Sequence, residues 1–417
     1  MRVIVVERTS AKLVALDLRV KAGTAYETEA NNGAAHFLEH LLFKGTPTRK
    51  PGEVDAAIEG IGGELAANTS LDWAQYAATV PSAGFRQTLE ILADVIQRPA
   101  LREEDIALER RVILDEVASS EADPVRAPLL ALSQIAFAGH PYRFGLHGRP
   151  ENIARLTRAD IEAFWRARYV PANLTLVVVG EVKRPEVVDA ARALFTFTTP
   201  GGAPSPLPDP APLTGVKRAA PLVHDRALVT VALGFHAPPV RNWQDAVALD
   251  VLLPLLSTGN GSGGRLGEAL VQKQRAALAV SASYLTQRAP GLLTLSVIGR
   301  GGDEKRIEDA LLAEIHRLRE DGPSDAEVAA ARQSALAKTL FEEETYAGQA
   351  NALAFYDMLD TYEFAVHYAE RLAAVTTADL RRVIAAYLTP ERYAIATVVP
   401  RRAAPPAAPG SGREAHR

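Results

Sequence analysis

The stretch His36-Phe37-Leu38-Glu39-His40 contains two imidazoles four residues apart, with a carboxylate directly before the second. On a helix, positions i and i+4 lie on one face, so both rings can reach a single metal ion. Glu39 lies three residues after His36 and therefore leans over the same face. The order H-x-x-E-H is the reverse of the commoner H-E-x-x-H zinc signature and is a metallopeptidase pattern in its own right. The sequence therefore predicts a hydrolytic zinc site on a helix.

A catalytic zinc ion needs a third protein ligand and an open position for water. One obvious source is a helix predicted over 103–119, which carries Glu103, Glu104, Glu109 and Glu116. Glu109 and Glu116 are two helical turns apart, so they share one face. A carboxylate from this helix would complete a His-His-Glu site, and Glu39 would act as the general base that takes a proton from water and passes it to the leaving amine.

The composition is that of an ordinary globular protein of 417 residues, with 47% hydrophobic and 23% charged residues. A net charge of −4 and the lack of a basic stripe with interleaved aromatic residues argue against nucleic-acid binding. The chain has no cysteine, which excludes disulfides and thiolate metal sites. We find no run of apolar residues long enough for a membrane span and no signal peptide at the start of this chain. We therefore expect a cytoplasmic or periplasmic protein.

Two stretches of similar length flank a segment that is rich in proline, glycine and alanine and reads Thr199-Pro200-Gly201-Gly202-Ala203-Pro204-Ser205-Pro206. This segment lacks apolar periodicity, as linkers do. The C-terminal tail is also rich in proline and is predicted to be disordered. We therefore predict a zinc-bearing peptidase domain over 1–195, a linker over 196–218, a second domain over 219–402 and a disordered tail over 403–417.

The two halves end in the same pattern. In each, a threonine caps a helix, an aspartate follows three residues later, a proline comes eleven residues after the aspartate, and an apolar strand comes next. These features lie at Thr157, Asp160, Pro171 and 174–179 in the first half and at Thr376, Asp379, Pro390 and 393–399 in the second. Chance similarity between two capped helices is the alternative, but we interpret the halves as copies of one domain.

The predicted elements alternate without a regular strand-helix-strand rhythm, which favours the α+β class with antiparallel sheets. In the first half, strands are predicted over 3–7, 13–21, 63–69 and 75–80, and the first two are expected to pair as a hairpin. Helices are predicted there over 34–43, 53–61, 82–97, 103–119 and 124–136. In the second half, strands are predicted over 228–235, 277–285 and 291–299. We expect two homologous domains, each an antiparallel sheet packed with helices.

The residues around the two histidines resemble the zinc-helix block of the pitrilysin, insulinase and mitochondrial-processing-peptidase family, and read Gly33-Ala34-Ala35-His36-Phe37-Leu38-Glu39-His40-Leu41-Leu42-Phe43-Lys44-Gly45-Thr46. Glu116 falls where the short, bacterial processing-peptidase-like members carry their glutamate ligand. Glu109 falls where they carry a second, supporting glutamate. Further matches extend over nearly the whole chain, at Gly62-Gly63, Thr69, Tyr76, Phe137, His140-Pro141-Tyr142, Gly148 and the glycine-rich turn 259–266.

The resemblance implies Zn2+ as cofactor, with His36, His40 and Glu116 as ligands and Glu39 as base. It implies two homologous α+β domains that pair with a second chain as a clamshell around a chamber. Substrates of the family are unstructured peptides, bound as an added strand on the edge beside the metal helix. In this chain that edge is the segment Ala66-Ala67-Asn68.

Two positions depart from the family pattern. Ala66 stands where the edge block of the family has an asparagine, so a side-chain contact to substrate is lost while backbone pairing remains. Self-sufficient members also carry an arginine and a tyrosine in the second domain, which hold the substrate and its scissile carbonyl. Here Arg275 is retained, but the tyrosine position holds Ala279, or Val280 in the alternative register. Tyr284 is the nearest substitute and would share the strand face only in the Val280 register.

A missing hydrogen-bond donor to the carbonyl oxygen can cost orders of magnitude in rate. We therefore expect this chain to be the zinc-bearing subunit of a heterodimer whose homologous partner supplies the arginine and tyrosine. A homodimer with another compensating residue is the alternative. A non-catalytic scaffold with the same fold is a further alternative, although degenerate members usually lose the histidine or glutamate residues that are present here. His140 and His147 flank a loop and could form a second metal pair, but we favour turn and packing roles for them.

Overall fold

The structure is a computed structural model that describes residues 1–197, 207–225 and 227–401. The predicted tail over 403–417 and the proline-rich centre of the predicted linker lie outside these residues. The strands are β1 (Arg2–Glu7), β2 (Leu13–Val20), β3 (Glu64–Thr69), β4 (Ala74–Pro81), β5 (Leu174–Gly180), β6 (Lys217–Arg218), β7 (Leu222–His224), β8 (Leu228–Ala237), β9 (Ala279–Tyr284), β10 (Gly291–Arg300) and β11 (Ala394–Pro400).

The helices of the first half follow the predicted ones closely. They are α1 (Ala34–Leu42), α2 (Glu53–Glu59), α3 (Phe85–Gln97), α4 (Glu103–Ala122), α5 (Arg126–Ala136), α6 (Pro150–Arg155), α7 (Arg158–Arg168) and α8 (Arg184–Leu194). Those of the second half are α9 (Trp243–Leu256), α10 (Gly264–Leu266), α11 (Glu304–Asp321), α12 (Asp325–Glu342), α13 (Tyr346–Leu359), α14 (Glu363–Val366), α15 (Tyr368–Ala374) and α16 (Thr377–Tyr387). No helix in the described part of the chain combines the length and apolar character that a membrane span requires.

Each half builds one sheet, and the two sheets have the same strand order. The first runs β1-β5-β2-β4-β3 and the second β6-β11-β8-β10-β9, with β7 also paired to β11. The capping boxes predicted at Thr157 and Thr376 are both present, each with its aspartate three residues later. The expectation of two homologous α+β domains is therefore confirmed, while the exact domain bounds stay a prediction.

The predicted hairpin of the first two strands is wrong. β5 lies between β1 and β2, parallel to β1 and antiparallel to β2. All seven residues of β5 are buried, so its backbone N–H and C=O groups need a ladder on both edges. β6 and β7 likewise pair with β11 in parallel. Each sheet is thus antiparallel except at this one edge.

Alternation along the strands sends side chains to two buried layers. In β2, Val14, Leu16 and Leu18 face the core that contains α1, while Ala15 faces the opposite side. That opposite side is covered by α13, a helix of the second half, through Ala350 and Ala354. In return, α5 of the first half covers the corresponding side of the second sheet, where Leu132 and Ala136 meet Ala232, Ala394 and Ala396. The halves therefore exchange one helix each.

Candidate metal centre

The helix α1 has one apolar face that packs in the core and one face that carries the potential metal ligands. Phe37, Leu38, Leu41 and Leu42 are at most 1% exposed and anchor one face in the first core. The other face presents the two histidines and Glu39, of which His36 is buried and the other two are partly exposed. Because the apolar face is fixed by packing, the ligand face has a fixed orientation toward α4, which packs beside it.

The start of α1 is held by a carboxylate from the preceding loop. Gly33, at φ +100°, occupies the N-cap position and has no side chain to cap the helix. Glu27 supplies the acceptors instead: one oxygen accepts from Ala35 N at 2.8 Å, and the other accepts from Gly33 N at 3.0 Å and from Asn32 Nδ2 at 2.8 Å. Burial raises the pKa of Glu27 to about 7, against the lowering effect of these three donors.

Three potential ligand atoms converge where α1 faces α4. His36 Nε2 and His40 Nε2 lie 3.3 Å apart, and Glu116 Oε2 lies 3.4 Å from the first and 3.6 Å from the second. Two ligands of a tetrahedral zinc ion with bonds of about 2.0–2.2 Å are about 3.3–3.6 Å apart. The donor set and its spacing therefore fit zinc, and the Glu116 side chain is 43% exposed, so the cluster opens to solvent on that side.

Glu109 supports the second histidine. Its Oε2 lies 2.9 Å from His40 Nδ1, and its Oε1 lies 2.8 Å from Lys44 Nζ. An N–H at Nδ1 donates to this carboxylate and leaves the lone pair of Nε2 for a metal, the usual arrangement of a metal-binding histidine. Burial raises the pKa of Glu109, but its bonds to Lys44 and His40 outweigh this, so its pKa is lowered.

His36 has a different environment. Burial lowers its pKa to about 3, with further lowering by His40 and His147, so its ring is neutral and available as a ligand. The ring of His147 packs against it at a centroid distance of 4.8 Å and an interplanar angle of 59°. His147 reaches this position from the loop before α6, more than one hundred residues along the chain.

Glu39 lies between the metal cluster and the edge of the sheet. Burial raises its pKa, while Thr69 at the end of β3 and the neighbouring His40 act in the opposite direction. β3 is the last strand of its sheet, and the family resemblance implied an edge strand at this position. Ala66 and Asn68 on it are exposed, and Ala67 is partly buried.

The second-half residues are not brought to the cluster in this chain. Arg275 is exposed, and among the described residues no hydrogen bond or ion pair joins it to α1 or α4. Ala279 and Val280 open β9, the edge strand of the second sheet. The Tyr284 hydroxyl donates to the Pro238 carbonyl at 2.7 Å, so this hydroxyl is not free to donate a hydrogen bond to a substrate.

Sequence reasoning identified the cluster but missed three neighbours. Lys44 had a usable signal, since it follows His40 by four residues. Glu27 and His147 had none, because each reaches α1 through loops whose course a sequence pattern does not specify. His147 was assigned to packing, and it does pack, but against His36 itself.

Comparison with known families covers most of the chain. Residues 2–148 match the family described as insulinase (peptidase family M16), and residues 155–335 match the domain described as peptidase M16 inactive domain. The second match begins at residue 155, near the end of the first half, and none of its described residues belongs to the metal cluster.

Relatives of known name extend the match. The chain is 29% identical over 414 residues to an Arabidopsis thaliana protein named probable mitochondrial-processing peptidase subunit beta, covering 96% of this chain and 77% of that one. It is 27% identical to the Helicobacter pylori zinc protease PqqE, over 90% of this chain and 85% of the other. A crystal structure of a Helicobacter pylori protease superposes with a TM-score of 0.89 at 25% identity, covering 95% and 96% of the two chains.

Proposed function

The chain belongs to the insulinase family of peptidases, family M16, and on that premise we propose that it is a zinc metallopeptidase that hydrolyses peptide bonds in unstructured peptides. The observation that carries the proposal is the convergence of His36, His40 and Glu116 to within 3.6 Å, with Glu39 on the same helix. Several relatives are named zinc proteases, which supports both the metal and the reaction class.

Zinc held by these three side chains would polarise the peptide carbonyl and lower the pKa of a water molecule. Glu39 takes a proton from the attacking water as its oxygen bonds to the carbonyl carbon. The same carboxyl group then gives the proton to the departing nitrogen, so that the C–N bond breaks into an amine and a carboxylic acid. Glu109 and Lys44 hold His40 in one tautomer and orientation during this sequence.

The substrate would bind as an added strand beside β3. A free sheet edge offers main-chain hydrogen bonds to a peptide of almost any sequence. A folded protein has no extended, unpaired segment to place beside that edge. We assign Ala66, Ala67 and Asn68 to this contact because they lie on the outermost strand. Thr69, at the end of the strand, is next to Glu39, which brings the peptide to the general base.

We further propose that this chain is the catalytic subunit of a dimer with a split site, and that Arg275 or its counterpart in a partner contacts the substrate. Two observations support a missing contribution: the tyrosine position holds Ala279 or Val280, and the Tyr284 hydroxyl is bonded elsewhere. The Arabidopsis relative is named as a subunit, and so is a rat relative, cytochrome b-c1 complex subunit 1, which is 31% identical over 252 residues.

The test is cleavage of a long, unstructured fluorogenic peptide by the zinc-loaded chain, alone and with any co-purifying homologue. Glu39→Gln is the control, because it removes the base while leaving the three ligands in place. Zinc content of each sample is measured by atomic absorption, with Glu116→Gln expected to lower it.

Turnover that depends on Glu39 supports the peptidase and, if the chain acts alone, argues against a partner. Turnover only with a homologue supports the split site. Retained turnover in Glu39→Gln would rule out Glu39 as the base. A chain that binds no zinc and cleaves nothing under either condition would favour the alternative, a scaffold or binding subunit.

A further inference from the structure

His147 is the one histidine outside the ligand set whose ring contacts a ligand in the described structure. Its ring lies 4.8 Å from that of His36, measured between centroids. Its electrostatic neighbours are Glu116, His40 and Arg126, two of which belong to the metal cluster. The imidazole of His147 therefore borders the metal cluster.

The His147 ring lacks the hydrogen bonds that usually hold a buried imidazole. Its Nδ1 is buried and has no hydrogen-bond partner. Leaving a buried polar atom unpaired is costly, so such atoms are rare and call for an explanation. In contrast, His140 on the same loop is fully engaged: Nδ1 accepts from Tyr142 N, and Nε2 lies 2.9 Å from the Pro208 carbonyl. Because Nδ1 is enclosed while the residue as a whole is only half-buried, Nε2 is the nitrogen of His147 that can face a bound substrate, and no hydrogen bond within the described residues engages it.

The backbone around His147 is clamped to the start of the metal helix. Gly148 has φ +82° and approaches Gly33 so closely that a Cβ there would lie 2.5 Å from the Gly33 Cα. The next residue, Arg149, donates its backbone N–H to Asn32 Oδ1 at 2.8 Å, and Asn32 in turn donates to Glu27. The imidazole therefore has a fixed starting position, as a group that stabilises a transition state requires.

We propose that His147 is a further catalytic residue, which donates a hydrogen bond to the carbonyl oxygen of the scissile peptide as that oxygen gains negative charge. The inference rests on the proposed function and supplies, within one chain, part of what the absent tyrosine would provide. The imidazole gives up no proton in this role. Its N–H shortens its contact to the oxyanion while water attacks, and relaxes when the C–N bond breaks.

The test compares zinc-loaded wild type with His147→Phe, which keeps a ring but has no donor, and His147→Gln, which keeps an N–H. A phosphinic pseudo-peptide, whose anionic oxygen imitates the tetrahedral transition state, is titrated by calorimetry, and kcat and KM are measured with the fluorogenic peptide. The loss of one such donor lowers kcat by about 10²–10³-fold. We expect that loss in His147→Phe, with an equal weakening of the phosphinic peptide and a partial recovery in His147→Gln.

Zinc affinity, measured by chelator competition, and thermal stability separate this role from packing. Because Nδ1 has no partner to lose and is costly to bury unpaired, His147→Phe should be at least as stable as wild type and bind zinc equally well. Weaker zinc binding, or an unchanged affinity for the phosphinic peptide, would overturn the proposal and make His147 a packing residue. His140→Gln is the matched control, with unchanged kcat and unchanged phosphinic affinity. If wild type itself binds neither zinc nor the phosphinic peptide, the proposed function fails and this role with it.

Discussion

At the scale of single residues, the metal cluster depends on side chains that do not touch the metal. Glu109 and Lys44 fix His40 from one side, and the His147 loop closes on His36 from the other. Supporting groups of this kind restrict each ring to one rotamer and one tautomer, so less conformational entropy is lost when a metal binds.

Substitution of Glu109 tests this support. Glu109→Gln keeps the shape but removes the charge that faces His40 and Lys44, and we expect zinc affinity to fall about 10- to 100-fold. Competition with a chromogenic chelator measures the change. Glu104→Gln, on the exposed face of the same helix, should leave the affinity unchanged. Equal affinities for both variants would contradict a supporting role for Glu109.

The buried carboxyl of Asp250 is expected to make the stability of the protein depend on pH. The Asp250 carboxyl lines a cavity of about 590 Å³, accepts from the Tyr368 hydroxyl at 2.6 Å, and has Lys338 and Glu342 of α12 nearby. The residue keeps some exposure through the cavity, but protein surrounds its carboxyl, and this burial raises the pKa to about 7. A raised carboxyl pKa contributes stability that is complete below pH 4 and is lost as the pH rises through 7.

Asp250→Asn removes that dependence. We expect the variant to resemble wild type in urea unfolding at pH 4 and to exceed it at pH 8, by up to a few kcal/mol, because it has no charge to bury. Asp189→Asn makes the same charge change on a side chain that is 76% exposed, and should have little effect at either pH. A variant less stable than wild type at pH 8 would show that the ionised carboxylate is stabilising.

The sequence revealed the ligands because helical spacing is a local property. His36 and His40 share a face through their separation alone, and Glu109 and Glu116 do so on α4. Which of the two glutamates joins the histidines is decided by how α1 and α4 pack, and only the family resemblance indicated it. The roles of Glu27 and His147 could not be predicted from the sequence, since their contacts with α1 depend on tertiary structure.

At the scale of elements, the start of α1 is stabilised from outside the helix. A nine-residue helix is marginal by itself, so the contacts of Glu27 with Gly33 N and Ala35 N matter to whether its first turn forms. His36 lies in that turn. The cap therefore links the stability of the helix to the position of a ligand.

Glu27→Ala removes the cap. At pH 6, below the raised pKa of Glu27, where ionisation of the buried carboxyl does not offset its contacts, we expect the metal-free protein to lose about 1–3 kcal/mol in its free energy of unfolding, because buried N–H groups lose their acceptor. Glu29→Ala is the control two residues away: it breaks surface ion pairs with Arg143 and Arg149 and should cost less than about 1 kcal/mol. Equal losses would mean that the loop as a whole, rather than the cap, stabilises α1.

Element positions followed from sequence more readily than strand pairing. The strands and helices that alternation, caps and prolines predicted lie close to their predicted positions, yet β1 and β2 do not pair with each other. The partner of β1 is β5, which follows the whole helical region. Local patterns identify a strand, but the choice between partners depends on which faces must be buried, and β5 is buried on both.

At the scale of the whole molecule, neither half is complete without the other. α13 covers the second face of the first sheet, and α5 covers that of the second. A polar network lies within the first contact: Arg19 bonds to Asp17 at 3.0 Å and to Asn351 of α13 at 2.5 Å, while its guanidinium lies 4.2 Å from the centre of the Trp73 ring. The Arg19 side chain is fully buried, so this contact is specific as well as apolar.

Separate expression of the halves tests this dependence. Residues 1–197 alone should aggregate, because Ala15, Val177 and Val179 would face water, and co-expression with residues 207–417 should recover a co-purifying complex. Ala354→Arg, at the centre of the contact, should abolish co-purification, while Ala386→Arg on the exposed face of α16 should not. A first half that is monomeric and cooperatively folded alone would contradict the expectation.

The exchange of helices also determines the order in which the two halves can pack during synthesis. The first sheet has all its strands once Gly180 has left the ribosome, but the helix that covers its far side begins only at Tyr346. Meanwhile α5 has already emerged and has no sheet to lie on. During translation the first half therefore keeps one apolar face of its sheet uncovered and α5 unpacked until α13, in the last sixth of the polypeptide, has emerged.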